Sequence, residues 1–177
     1  MLKGEIVATE RVCIVGNFGS GKSHFAKIIS EEYGLPIIHL DTFYWHPDWT
    51  RCTRAEFLAH YDEILAEEKW ILDGSYPEFN LRRRFNAADL VFFLDMPFKF
   101  CLKQMLNRRS ETRDDFPADE HKTKISRVLE LVFLFRQSLF GIIDRPMIMN
   151  AAKHSTTPFI RIQDWSDEDV ALELCKS

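Results

Sequence analysis

Residues Gly16-Asn17-Phe18-Gly19-Ser20-Gly21-Lys22-Ser23 follow an apolar run, Val12–Val15, and open a segment of helical period, Lys22–Glu32. This is the pattern G-x-x-x-x-G-K-S/T in the strand-then-helix setting that it requires, and few architectures accommodate it. The glycines let the backbone curl so that successive N–H groups point inward, and the helix behind adds the positive end of its dipole. The segment therefore predicts a phosphate-binding turn, with Gly16, Phe18, Gly19, Ser20, Gly21, Lys22, Ser23 and His24 as candidate ligands of ATP. Lys22 reaches the β- and γ-phosphates, and Ser23 ligates Mg2+. A dinucleotide fingerprint does not fit: the glycines are spaced G-x-x-G-x-G, and no acid closes the second strand in the context of a ribose contact.

From Arg11 onward, short β-rich runs alternate with longer segments of helical period, the order expected of a parallel sheet with helical crossovers. The apolar runs Val12–Val15, Pro36–Leu40, Trp70–Leu72, Leu90–Leu94 and Phe159–Ile162 predict five strands covered on both faces. Helices are predicted over Lys22–Glu32, Arg54–Glu68, Pro97–Arg109 and Lys124–Phe140. The fold class expected is an α/β P-loop sandwich, a five-stranded parallel sheet with helices on both faces. At 177 residues it fits one domain. Residues 107–123 carry Arg108, Arg109 and Arg113 among many acids with little apolar periodicity, and predict a mobile lid.

Lys plus Arg total 23 against 27 acids, a formal charge of −4. That is the wrong sign for a domain held to duplex DNA by bulk charge, so no direct duplex binding is expected. The cysteines Cys13, Cys52, Cys101 and Cys175 form no C-x-x-C pair, and read as reduced thiols of a cytoplasmic protein. The N-terminus lacks the apolar run of a signal peptide, and no stretch is long and apolar enough to span a membrane. The histidines lack zinc-site spacing, and His39 is expected to pack in the sheet.

Beyond the phosphate turn, His39-Leu40-Asp41 with Trp45, Pro47 and Trp49, Trp70 to Tyr76, and Ala88 to Pro97 with Arg108-Arg109 resemble the adenylate-kinase-related P-loop proteins known as DNA topology modulation proteins. The resemblance runs through most of Val12 to Arg113. It implies a nucleoside-monophosphate-kinase arrangement with an arginine-bearing lid. Three positions depart from the pattern: His24 stands for a hydroxyl residue, Ser75 for Asn and Gln104 for a basic residue.

Asp41 follows the second strand, where ligands of open α/β sheets bind; it either takes a proton from an acceptor hydroxyl or serves as a turn or N-cap residue. Asp73, before Gly74, either holds Mg2+ through water or forms an Asp-Gly turn. Asp95 reads as structural. Phe43, Tyr44, Trp45 and Trp49 wall an acceptor pocket or belong to the core. Arg54 and one of Arg82, Arg83 and Arg84 are candidate anion clamps, although a basic triplet on a loop is usually a solvated face. Arg108, Arg109 and Arg113 either close over the transferring phosphoryl group or pair with nearby acids. Together these residues predict a Mg2+-dependent phosphotransferase acting on a small acceptor. The alternative is a nucleotide-binding regulatory protein with little turnover, linked indirectly to DNA topology.

Overall fold

The computed structural model describes residues 9–46, 50–107, 135 and 138–165. The elements run β1 (Arg11–Gly16), α1 (Lys22–Tyr33), β2 (Ile37–His39), α2 (Asp41–Tyr44), α3 (Arg54–Ala66), β3 (Trp70–Asp73), α4 (Leu81–Ala87), β4 (Leu90–Leu94), α5 (Phe98–Asn107), α6 (Asp144–Lys153) and β5 (Phe159–Ile162). The strands form one five-stranded parallel sheet in the order β2-β3-β1-β4-β5, the predicted fold class.

Side-chain alternation along the strands divides the core in two. Val12, Ile14, Ile71, Leu90 and Phe92 pack with Phe25, Ala26 and Ile29 of α1, whereas Cys13, Val15, Trp70, Leu72, Val91 and Phe93 pack with Phe57 and Tyr61 of α3 and Phe85 of α4. The three inner strands are buried almost end to end, as strands covered on both faces must be. The expectation of full cover fails for β2 and β5, the sheet edges: β2 is only partly buried, and in β5 Arg161 is exposed while Ile162 is buried.

Helix boundaries follow local chemistry. Gly34 ends α1 in the left-handed conformation at φ 66°, and a Thr53–Glu56 capping box starts α3. Besides the four-residue α2, two helices escape the sequence reading. In α4 the buried positions are Leu81, Arg84 and Phe85, an i, i+3, i+4 face whose middle member is charged, so the periodicity is hidden. The triplet Arg82–Arg84 therefore lies on a helix and not on a loop. The second, α6, carries Pro146 in its first turn, a position where proline is tolerated. The predicted lid beyond Asn107 and most of the predicted helix Lys124–Phe140 lie outside the described residues.

Arg84 is 1% exposed. Its guanidinium lies 5.9 Å from the Tyr61 ring, donates from Nη1 to the Gly74 carbonyl at 2.7 Å, and donates from Nη2 to the Ser75 carbonyl. A buried cation bonded to carbonyls leaves them unpaired when it is removed, at a cost of several kcal/mol. Arg84→Ala is expected to lower stability by about 3 kcal/mol in urea unfolding. A loss below about 1 kcal/mol, the size of an ordinary surface change, would remove Arg84 from its structural role.

Candidate functional site

All five strands point the same way, so their carboxyl ends share one edge, the edge at which ligands of open α/β sheets bind. Along it lie Asp41 after β2, Asp73 at the end of β3, the Gly16–Ser23 turn after β1, Asp95 after β4 and Gln163 after β5.

The turn is packed too closely for side chains. A Cβ on Gly19, at φ 73°, would lie 2.3 Å from the Cys101 carbonyl oxygen of α5; one on Gly21, at φ 95°, would lie 2.1 Å from Cζ2 of Trp165. Gly21 is the N-cap of α1, and with no side chain it leaves the first turn of that helix without a side-chain cap. No acid stands in that turn to compete for an anion. Lys22 Nζ donates to the Asn17 carbonyl at 2.9 Å, folding the ammonium across the turn. The Ser20 hydroxyl is buried without a hydrogen-bond partner among the described residues. An uncapped helix N-terminus, a cation laid over it and an unused hydroxyl fit the phosphates of a nucleotide.

Ser75 fixes the start of the turn. Its Oγ accepts from the Gly16 N–H at 2.9 Å and donates to the Gly16 carbonyl at 2.6 Å. One hydroxyl thus serves both backbone polar groups of Gly16.

On the β2–β3 side, Asp73 is 5% exposed and accepts from His39 Nδ1 at 2.9 Å through Oδ2; its Oδ1 has no partner among the described residues. A buried carboxylate with one unused oxygen fits the water shell of a Mg2+ ion. Asp41 accepts from the Tyr76 hydroxyl, and burial, followed by the Asp41 charge, pushes the Tyr76 phenol far up, which keeps it a donor. Tyr44 packs on Tyr76, Phe57 and Phe79, so much of the aromatic run after Asp41 is core. Trp45 is half-buried, stacked edge-on against Tyr44 and faced by Arg51. Arg54 lies over the Phe79 ring and donates to the Glu78 carbonyl at 3.0 Å.

On the β4–β5 side, sequence reasoning missed a basic cluster. Asp95 accepts from Arg145 Nε on both oxygens, at 3.1 and 3.0 Å, and from Arg161 Nε at 2.8 Å. Two guanidiniums on one carboxylate leave this corner with a surplus positive charge. It borders a cavity of about 450 Å³ that Asn17 of the turn, Pro97, Phe98 and Gln163 help to line. Arg161 had a visible signal, a charge inside an apolar strand. Arg145 had none, and Trp165 only its place after the last strand.

Of the predicted site residues, Gly16 to His24, Asp41, Asp73 and Gly74 gather at this edge, with Trp45 and Arg54 beyond β2. Arg108, Arg109, Arg113 and Trp49 lie outside the described residues. The described cysteines Cys13, Cys52 and Cys101 are free and buried; burial pushes the Cys13 and Cys101 thiols up to about 11, which suits packing and not nucleophilic chemistry. Among the described residues no cluster of histidine, cysteine and acid suits a zinc-type centre, and no helix is long and apolar enough to cross a membrane.

No family model matches the sequence, and no curated protein matches it. Solved structures do. Shikimate kinase from Acinetobacter baumannii, in complex with shikimate, is 13% identical with a TM-score of 0.59, over 97% of this chain and 93% of its own. Shikimate kinase from Bacteroides thetaiotaomicron is 16% identical with a TM-score of 0.58, over 96% and 100%. A gluconokinase from Sinorhizobium meliloti is 16% identical with a TM-score of 0.56, over 95% and 92%. The chain has the P-loop kinase fold.

Gly21→Ala adds a methyl group into Trp165 and strains a left-handed backbone, so it is expected to lower stability by about 2–4 kcal/mol. Combining it with Trp165→Ala should remove the steric part and leave about 1–2 kcal/mol of backbone strain. A double-mutant cycle in urea with strictly additive losses would show that the indole does not rest on Gly21.

Proposed function

We propose that this protein is a phosphotransferase that moves the γ-phosphoryl group of Mg2+-bound ATP to a small acceptor. The observation that carries the proposal is the uncapped N-terminus of α1 inside the Gly16–Ser23 turn. Backbone N–H groups there bind the β-phosphate, and Lys22 leaves the Asn17 carbonyl for the β- and γ-oxygens. Ser23 and, through water, Asp73 hold the metal; Mg2+, when bound, neutralises charge on the phosphate oxygens.

Asp41 borders the acceptor site with Gly74, Trp45 and Arg54. For a hydroxyl acceptor, Asp41 takes the proton as the acceptor oxygen bonds to the γ-phosphorus; the bond to the bridging oxygen breaks, and ADP leaves with the electron pair. Tyr76 orients Asp41 by donating to it. For a phosphate acceptor no base is required, and Arg54 supplies positive charge. Arg108, Arg109 and Arg113 extend that charge over the transferring group and exclude water.

The fold held in common with two shikimate kinases and a gluconokinase supports transfer to a small molecule. The resemblance of the Asp41 and Asp73 segments to DNA topology modulation proteins supports a nucleotide site in the same place, with any effect on DNA indirect given the acidic balance. Free, buried thiols support a cytoplasmic setting.

The test is ADP release with Mg2+ across a panel of nucleoside monophosphates and small hydroxy acids. Lys22→Ala is expected to lower an acceptor-stimulated rate by about 10²–10³, the usual cost of removing one preorganised electrostatic group. Asp41→Asn should cost about 10²–10⁴ for a hydroxyl acceptor and little for a phosphate acceptor, with ATP affinity retained. Tight ATP binding with a flat background rate across the panel would instead favour a nucleotide-binding regulator.

A further inference from the structure

His39 does more than pack in the sheet. The β2–β3 register pairs His39 with Asp73 directly, and alternation places both on the face that α1 covers, continuing Ile37 and Ile71. On β1 the residue level with Asp73 is Ile14, two positions before the phosphate turn. Asp73 therefore ends its strand on the α1 face, the face of the helix whose first turn carries Ser23.

The carboxylate is used unevenly. Oδ2 accepts from His39 Nδ1 at 2.9 Å, whereas Oδ1 is buried without a partner among the described residues. A carboxylate only accepts, so Nδ1 carries the hydrogen in this pair, and the bond fixes the rotation of the carboxyl group. The two side chains differ in access: His39 is 23% exposed and Asp73 5%. An unpaired buried carboxylate oxygen costs desolvation energy, so its persistence calls for a charged or hydrogen-bonding group that the described residues do not supply.

We infer that His39 is a positioning residue: it ties down Oδ2 of Asp73 so that Oδ1 is the oxygen presented to the water shell of the divalent cation that accompanies the nucleotide. This rests on the phosphotransferase reading only as far as nucleotide binding with a divalent cation, and does not require an acceptor. Outer partners that orient a metal-binding side chain typically account for 10–100-fold in metal affinity. The role needs a donor at the Nδ1 position and no ring charge, so Asn, whose amide nitrogen occupies about that position, should replace His39 where Leu cannot.

The experiment is isothermal titration of ATP into the full chain, with Mg2+ and with EDTA, for the wild type, His39→Leu, His39→Asn and Asp73→Asn, together with Mn2+ binding to the ATP-loaded protein by electron paramagnetic resonance. Thermal melts check that each variant is folded. His39→Leu and Asp73→Asn are expected to weaken Mn2+ binding about 10-fold or more, leaving ATP affinity in EDTA unchanged, and His39→Asn to restore most of the loss. Equal Mn2+ affinity in the wild type and His39→Leu overturns the inference while nucleotide binding stands. So does a loss of ATP affinity in EDTA that matches the loss with Mg2+, or a His39→Asn variant no better than His39→Leu, because either marks a purely structural pair. Absence of any ATP binding by the wild type overturns the nucleotide reading and the inference together.

Discussion

Gly16 is gripped on both of its backbone polar groups by one hydroxyl, that of Ser75, and the Ser75 backbone is gripped in turn by the buried Arg84 guanidinium. This relay joins α4 to the end of β3, and the end of β3 to the phosphate turn. A glycine-rich turn has more backbone freedom than any other segment and gains least from side-chain packing, so its shape depends on groups outside it. Here those groups are a serine placed by the β3–α4 connection and an arginine placed by α4. The turn is held from its other side by contact of Gly19 with the α5 backbone and of Gly21 with the Trp165 indole.

Around that fixed turn the strand ends divide the charge. The β2–β3 side carries Asp41 and Asp73, which accept from Tyr76 and His39 respectively. The β4–β5 side carries Arg145 and Arg161 on the single carboxylate of Asp95. A divalent cation and a deprotonating hydroxyl suit the first side, and phosphoryl or carboxylate oxygens suit the second. Lys22 lies between, on the turn itself, with its ammonium on the Asn17 carbonyl. Strand order separates the two sides, since β1 stands between β3 and β4, and α6 brings Arg145 to the basic one.

Much of this is legible in the sequence. The apolar runs Leu90–Leu94 and Phe159–Ile162 are strands with those bounds, and Lys22 begins α1 as the motif requires. The reading failed where a charged residue faces inward. Arg84 is among the largest fully buried side chains, yet an arginine triplet reads as a solvated face, and the amphipathic stripe of α4 disappears with it. Trp45 and its aromatic neighbours illustrate the opposite difficulty, because an aromatic side chain after a strand looks the same in sequence whether it walls a pocket or fills the core. In the folded chain Tyr44 joins the core with Phe57 and Phe79, while Trp45 stays at its margin.

By itself the sequence determined the elements whose cause is local: five apolar runs long enough for strands, a glycine-rich turn with its lysine and serine, and the helix that follows. Those depend on residue type and spacing within one window, and spacing is what a sequence records. Which groups meet was decided by the tertiary structure. The pairing of His39 with Asp73 requires the β2–β3 register, the grip of Ser75 on Gly16 requires β3 beside β1, and the sharing of Asp95 by Arg145 and Arg161 requires three segments far apart in the chain. A hydrogen bond forms only within about 3 Å, and no local pattern encodes a distance that the whole sheet must close to set.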